Sequence, residues 1–282
     1  MKTESCIDDL SNINVNVTDI VLTPFSCASI INEVLKGVLY QRCQIPYPYN
    51  WMKTIVTKKR EKSDIEISGK TNFKAENHFR SVSKVFDILE AVMTDIKNEF
   101  IHFNKSLKKV LFVLGTTPVT PSEVFSISVS SLIDGHNERN HISQLNKYQQ
   151  KILRSIFLSQ DWLDKIDASI SCTNIYIYLI KDANESNEDA EKHSTSFLPT
   201  APLSFSAKTK HVQISLYSDV APDENCCKNL AVFEDSNNSL NIFNKVNCDT
   251  EQLENLTWYK YKDLVKGFKD CFINKKSVSE LW

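Results

Sequence analysis

Glycine is scarce in this 282-residue chain, with five residues at positions 37, 69, 115, 135 and 267. Spread this thinly, they exclude dinucleotide and phosphate loops, which need clustered glycines so that backbone N–H groups can reach the phosphates. Leu114-Gly115-Thr116-Thr117 follows an apolar run, as phosphate loops do, but it lacks the second glycine and the lysine and reads as a turn. Histidine is sparse as well: six residues, none within a GxSxG, HExxH or Cys/His signature, so solvated side chains are expected rather than catalytic bases. No apolar run approaches the ~20 residues of a membrane-spanning helix, so no membrane partner is expected. MKTESCIDDLSN at the start has no signal-peptide apolar region, and the reading is intracellular. Neither sign of charge is in excess. The 33 basic and 35 acidic residues leave −2, which argues against broad attraction to nucleic acid. The eight cysteines (6, 27, 43, 172, 226, 227, 248 and 271) contain no CxxC pair and no zinc-type spacing. They read as reduced thiols, with no metal and no cofactor expected.

What is present is a set of amphipathic and apolar segments. Ile31, Val34, Leu35 and Val38 recur at helical spacing. Thr23-Pro24 supplies the N-cap and first-turn proline, and Ile45-Pro46 marks the end. The exit, Tyr40-Gln41-Arg42 running into IPYPY, puts a glutamine, an arginine and aromatics where a helix meets the surface, as a protein-docking edge does. A long second helix follows, its stripe made by Phe79, Val82, Phe86, Leu89, Met93, Ile96, Phe100 and Phe103. KVLFVL (Lys109–Leu114) reads as a buried strand, and Ser122–Val129 as a short alternating one.

A third helix spans about Ser143–Leu158 with a stripe of Leu145, Tyr148, Ile152 and Ile156. Leu153 and Phe157 lie round the wheel from that stripe and widen the apolar face. A wide core contact explains this, and so does a second binding surface. Strands are expected at Thr173–Ile180 and His211–Tyr217, with weaker candidates at Leu230–Phe233 and Leu240–Phe243. In the tail, Leu256–Phe268, lysines alternate with Trp258, Tyr259 and Tyr261. The alternatives there are a half-buried terminal strand and a stacking surface for single-stranded nucleic acid.

These elements predict an α+β fold, three helices on one largely antiparallel sheet. The expected organisation is a flexible leader over 1–20 and one domain over 21–282, with polar loops near 58–72, 181–196 and 218–249. The basic start of the first loop is either a surface loop or a nuclear-import signal.

Three segments, LKGVLYQRCQIPYPY (Leu35–Tyr49), VLFVLGTTPVTPSEVFSISVSSL (Val110–Leu132) and WYKYKDLVKGFKD (Trp258–Asp270), together resemble the comet family of Mad-two-binding spindle-checkpoint adaptors. KILRSIF (Lys151–Phe157) resembles that family's third helix. The resemblance implies a HORMA-like fold with a C-terminal safety-belt-like segment. It also implies a non-enzymatic adaptor, in nucleus and cytoplasm and at the spindle or kinetochore in mitosis. Such an adaptor docks on closed Mad-two and delivers it to a pachytene-checkpoint-type AAA+ ATPase, silencing the mitotic checkpoint. Carried over by position, Gln41 falls at the family's contact glutamine after the first helix, and Leu153, where the family can have phenylalanine, at its third-helix contact. Arg42, beside Gln41, and Phe157, on the same wide apolar face as Leu153, complete the candidate partner-binding set. Pro199-Thr200 stands at the family's Pro-Lys step toward the ATPase. The alternative function is a HORMA-type peptide-binding adaptor of a meiotic or DNA-repair pathway. An enzyme would require a convergent polar pocket, which the sequence does not display.

Overall fold

Two sequence runs are apolar at consecutive rather than alternate positions, and they locate the centre of the molecule. Successive strand residues point to opposite faces, so such a run must be covered on both sides. The computed structural model describes residues 10–18, 20–63, 72–103, 106–128, 145–183, 196–218 and 256–281. In it the two runs are β2 (Leu107–Gly115) and β4 (Asn174–Asp182), antiparallel neighbours in register from Lys109↔Ile180 to Gly115↔Asn174. Val110, Phe112, Leu114, Ile175, Ile177 and Leu179 enter the main core beneath the helices. Leu111, Val113, Tyr176, Tyr178 and Ile180 fill a second, smaller core, which Leu203, Phe205 and Trp258 cover.

Around this pair the chain runs β1 (Leu10–Asn16), α1 (Pro24–Gln41), α2 (Tyr49–Ser63), α3 (Phe73–Phe103), β2, β3 (Glu123–Ser128), α4 (Leu145–Phe157) and α5 (Gln160–Ile166). It continues β4, β5 (Phe197–Thr200), β6 (Lys210–Tyr217), β7 (Leu256–Tyr261), β8 (Val265–Lys266), and a small hairpin of β9 (Phe272–Ile273) and β10 (Lys276–Ser277) before a 3-10 turn at Val278–Leu281. The large sheet is ordered β1-β6-β3-β2-β4-β7-β5, with β8 also on β4. The α+β class is as expected. The described residues hold five helices rather than three, and the sheet is mixed: β1–β6 and β3–β6 are parallel, the other pairings antiparallel.

Three expectations of organisation are corrected. Residues 10–16 of the supposed leader form β1, because Ile13, Val15 and Val17 alternate with asparagines and bury on the helix side. Residues 58–63 of the supposed loop belong to α2, a largely polar helix held through Met52 and Val56 at i, i+4. Lys181 and Asp182 end β4 instead of opening a loop: the Lys181 ammonium is buried against Glu99 at 2.5 Å and lies over the Phe103 ring. The strand candidates at 230–233 and 240–243 lie outside the described residues.

α1 begins as its sequence dictates. The Ser26 N–H donates to Thr23 Oγ1 at 3.1 Å and the Thr23 N–H donates to Ser26 Oγ at 2.7 Å, a reciprocal capping box. Its other end differs from expectation. The helix stops at Gln41, before the prolines, because Cys43 turns left-handed at φ 53°. The Cys43 N–H then donates to the Tyr40 carbonyl, and the Gln44 N–H to that of Leu39, a Schellman closure.

The tail is a strand of the same sheet. β7 lies between β4 and β5, with Ile180 opposite Trp258 and Pro199 opposite Tyr259. Beyond it the Gly267 and Phe268 N–H groups donate to the carbonyls of Thr173 and Gln44, and the Tyr47 hydroxyl donates to Asp270. Loss of water and the Asp270 carboxylate push the Tyr47 hydroxyl up to about 12, so it stays a donor at neutral pH.

Candidate protein-docking site

The left-handed exit of α1 swings Arg42 inward rather than outward. Its side chain is 1% exposed. Nε and Nη2 donate to the two Glu123 carboxylate oxygens at 2.8 and 2.5 Å. Nη1 donates to the Ile166 carbonyl at 2.7 Å and Nη2 to that of Ala168 at 2.6 Å. A planar fork with five N–H donors suits this bidentate role, which ties the end of α1 to the start of β3 and to the segment after α5. The reading of Arg42 as a partner contact is therefore corrected: it is an internal tie, because a buried carboxylate at Glu123 needs it.

Gln41 stays half-buried at the surface, and its Oε1 accepts the Trp162 indole N–H at 2.7 Å. Trp162 is wholly buried on α5, whose N-cap Ser159 accepts the Trp162 backbone N–H at 3.2 Å. Phe157 closes the same junction. Its ring meets that of Trp162 edge-on at 5.0 Å between centroids. A Cβ on Gly37 would fall 2.2 Å from it, so only glycine admits the ring at this crossing of α1 and α4. Leu153 also packs half-buried against the main core. The wide apolar face of α4 thus serves the core at both positions.

Of the outward-facing apolar groups at this junction, Tyr40 belongs to the docking edge expected from the sequence, whereas Leu158 and Leu163 are ones the sequence reading missed. Leu158, directly after α4, is 71% exposed; Tyr40 at the end of α1 and Leu163 on α5 are 47% and 44% exposed. The Gln41–Trp162 hydrogen bond and the Phe157–Trp162 contact bring their three elements together. Lys147, Lys151 and Arg154, exposed at i, i+4 and i+7 of α4, line a basic flank. The available signal was Leu158 breaking the polar side of the wheel just beyond the stripe.

Pro199 and Thr200 lie on β5, the outermost strand, Pro199 exposed and Thr200 half-buried. Proline is accommodated there because an edge strand has N–H groups without ladder partners. α4 and α5 instead pack over β1, the opposite terminal strand, so the two candidate surfaces lie at opposite ends of the sheet.

A model for a family described as "p31comet: Mad1 and Cdc20-bound-Mad2 binding" matches residues 13–192. The chain belongs to the p31comet family. The match takes in α1, α4, α5 and the exit turn, and so bears out the resemblance carried by Leu35–Tyr49 and Val110–Leu132. The chain is similar to two curated p31comet relatives, both named MAD2L1-binding protein. With that of Homo sapiens it is 26% identical over 106 residues, 38% of each chain. With that of Mus musculus it is 28% identical over 106 residues, 38% of this chain and 37% of the other. The aligned part therefore spans under two-fifths of the length of these relatives.

A cleft of about 200 Å³ between α1, α2 and α3 is lined by Glu33, Lys36, Lys53, Glu90 and Lys97 among others. Its charges are matched internally: Lys36 to Glu33 at 2.6 Å, Lys53 to Glu90 at 3.5 Å, and Lys97 over the Phe25 ring. Among the described residues no cluster of three His, Cys, Asp or Glu side chains is placed to hold a metal, and no helix is long and apolar enough to cross a membrane.

Proposed function

We propose that this chain is a non-enzymatic HORMA-like adaptor that docks on the closed conformer of Mad2 through the junction of α1, α4 and α5. The observation that carries the reading is the family match, whose description names Mad2 binding, falling on a junction with three exposed apolar side chains. Leu158, Leu163 and Tyr40 supply the apolar anchors, Leu153 the margin of the face, and Gln41 an amide held in place by Trp162. Lys147, Lys151 and Arg154 favour a partner surface with an acidic rim, which speeds encounter more than it adds affinity.

The same adaptor presents Mad2 to a pachytene-checkpoint-type AAA+ ATPase, and remodelling there silences the spindle checkpoint in mitotic cells, at the spindle or kinetochore. Support for this half is Pro199, which stands at the first position of the family's Pro-Lys step with Thr200 in place of the lysine, on an exposed edge at the far end of the sheet from the docking junction. That separation leaves both surfaces free for simultaneous use. Pairing of the Trp258 strand inside the sheet supports a protein adaptor over a nucleic-acid arm, since its aromatic rings are packed within the chain.

Calorimetric titration with closed and with open Mad2 tests the docking half. The wild type should bind the closed form only. A Leu158→Glu, Leu163→Glu variant should lose at least roughly thirty-fold in affinity, the effect of losing about 2 kcal/mol at a central anchor. Its circular dichroism should be unchanged, because both side chains face solvent. Equal affinity in the folded variant moves the site elsewhere, and no binding by the wild type removes the assignment.

A further inference from the structure

The exit of α1 has a second property, independent of docking. Its left-handed position, which glycine or asparagine fills at least cost, is occupied by Cys43. The Cys43 thiol is on an exposed residue, and another thiol stands beside it. Cys172 Sγ lies 3.3 Å from the Cys43 carbonyl oxygen, although the two residues are 129 positions apart. The neighbourhood is held from both sides. The Gln44 side chain donates to the Ser171 carbonyl at 3.3 Å and accepts the Thr173 N–H at 2.7 Å, so it brackets Cys172. Bond lengths along the Cys43 carbonyl place Cys172 Sγ within about 6 Å of the Cys43 Cα. A disulfide needs Cα atoms about 4.4–6.8 Å apart, a separation that this contact allows.

We infer that Cys43 and Cys172 form a reversible, peroxide-driven disulfide that staples the exit of α1 to the entry of β4. Cys43 is the attacking thiol because oxidant reaches it first. Its thiolate takes one oxygen of hydrogen peroxide, the O–O bond breaks, and the departing hydroxide with the thiol proton leaves as water, giving a sulfenic acid. Cys172 then attacks that sulfur. The S–S bond forms, the S–O bond breaks, and a second hydroxide leaves as water with the Cys172 proton. Two thiols and one peroxide thus give one disulfide and two waters, and a dithiol reductant reverses the change. Burial raises the Cys172 thiol above its ordinary value while the Lys269 ammonium works against that, so Cys172 meets peroxide more slowly than the exposed Cys43. Cys27 is no competitor, because burial pushes its thiol up to about 12.

Peptide mapping of the full chain after brief hydrogen peroxide treatment at neutral pH, without reductant, reads the pairing directly. Trypsin releases Cys43 in the peptide following Arg42 and Cys172 in the peptide following Lys165. The expected product is these two joined, two hydrogens lighter than their sum, in monomeric protein and absent after dithiothreitol. In Cys172→Ser, Cys43 should stop at the sulfenic acid and become several-fold more reactive to dimedone. In Cys43→Ser, no linked pair should form, and Cys172 should stay a thiol. Serine keeps the size of both side chains, and circular dichroism checks that the variants fold. Cys43 paired with any other cysteine, or carried to sulfinic acid in the wild type while Cys172 remains a thiol, overturns the assignment.

Discussion

At the scale of single residues, the exit of α1 shows how one backbone angle decides what a side chain is for. With Cys43 left-handed, Arg42 turns under the helix and meets Glu123, and Gln41 is left outside with its amide on Trp162. Arg42→Ala should therefore act on stability rather than on partner contact. It leaves the Glu123 carboxylate buried and unpaired, a loss that typically costs about 3–5 kcal/mol. Arg42→Lys should recover little, because a point ammonium cannot reproduce the bidentate fork and the two carbonyl bonds together. Urea unfolding checks this, and a midpoint for Arg42→Ala within error of the wild type would show the pair to be dispensable. The sequence could not disclose this role. Glu123 is 81 positions from Arg42, and nothing local separates an arginine facing solvent from one facing a distant carboxylate. Gln41 was legible as a surface group, but its indole partner 121 positions away was not.

At the scale of elements, legibility followed the density of apolar residues. α3 and the paired runs of β2 and β4 were clear because their burial patterns are long and uninterrupted. β1 was hidden because its exposed positions are asparagines, which strands disfavour, and its partner β6 lies about two hundred residues away. α2 was hidden because three buried residues, Tyr49, Met52 and Val56, carry it while TKKREKS reads as loop. α5 is too short to show a period, and only its Ser159 cap marks it. Parallel pairing had no local signature, since β3 and β6 are joined only after α4, α5, β4 and β5 have been traversed. The element whose burial was most legible is also the one whose energetics are easiest to test. Phe86, on the buried stripe of α3, stacks with Tyr49 at 5.9 Å between ring centroids. Phe86→Ala should cost about 3–5 kcal/mol through the cavity it leaves beneath α2. A thermal scan with an unchanged midpoint would make α3 peripheral and contradict the packing described.

At the scale of the whole molecule, the C-terminal segment is what closes the structure. β7 is inserted between β4 and β5, so β5 has no ladder partner on its inner side without it. Tyr261 is buried and its hydroxyl donates to Asp95 of α3 at 2.8 Å. Val265 and Val278 are buried as well, the first in the main core. Further on, the Phe268 N–H bond to the Gln44 carbonyl and the Tyr47 bond to Asp270 brace the turn just after the exit of α1. Removal of residues 256–282 should therefore have two linked effects. The outer edge of β4 becomes a row of unpaired N–H and C=O groups on an apolar strand, a template for pairing with another copy. The α1 exit also loses its brace, so closed Mad2 should bind more weakly even though the docking junction keeps all its own side chains. Light scattering after gel filtration should find dimers or larger species, and the thermal midpoint should fall. Full-length variants separate the two effects: Phe268→Pro removes the N–H that reaches Gln44 while leaving β7 in place, so it should weaken Mad2 binding without association. A truncated protein that stays monomeric and equally stable would mean that the tail decorates the sheet instead of completing it.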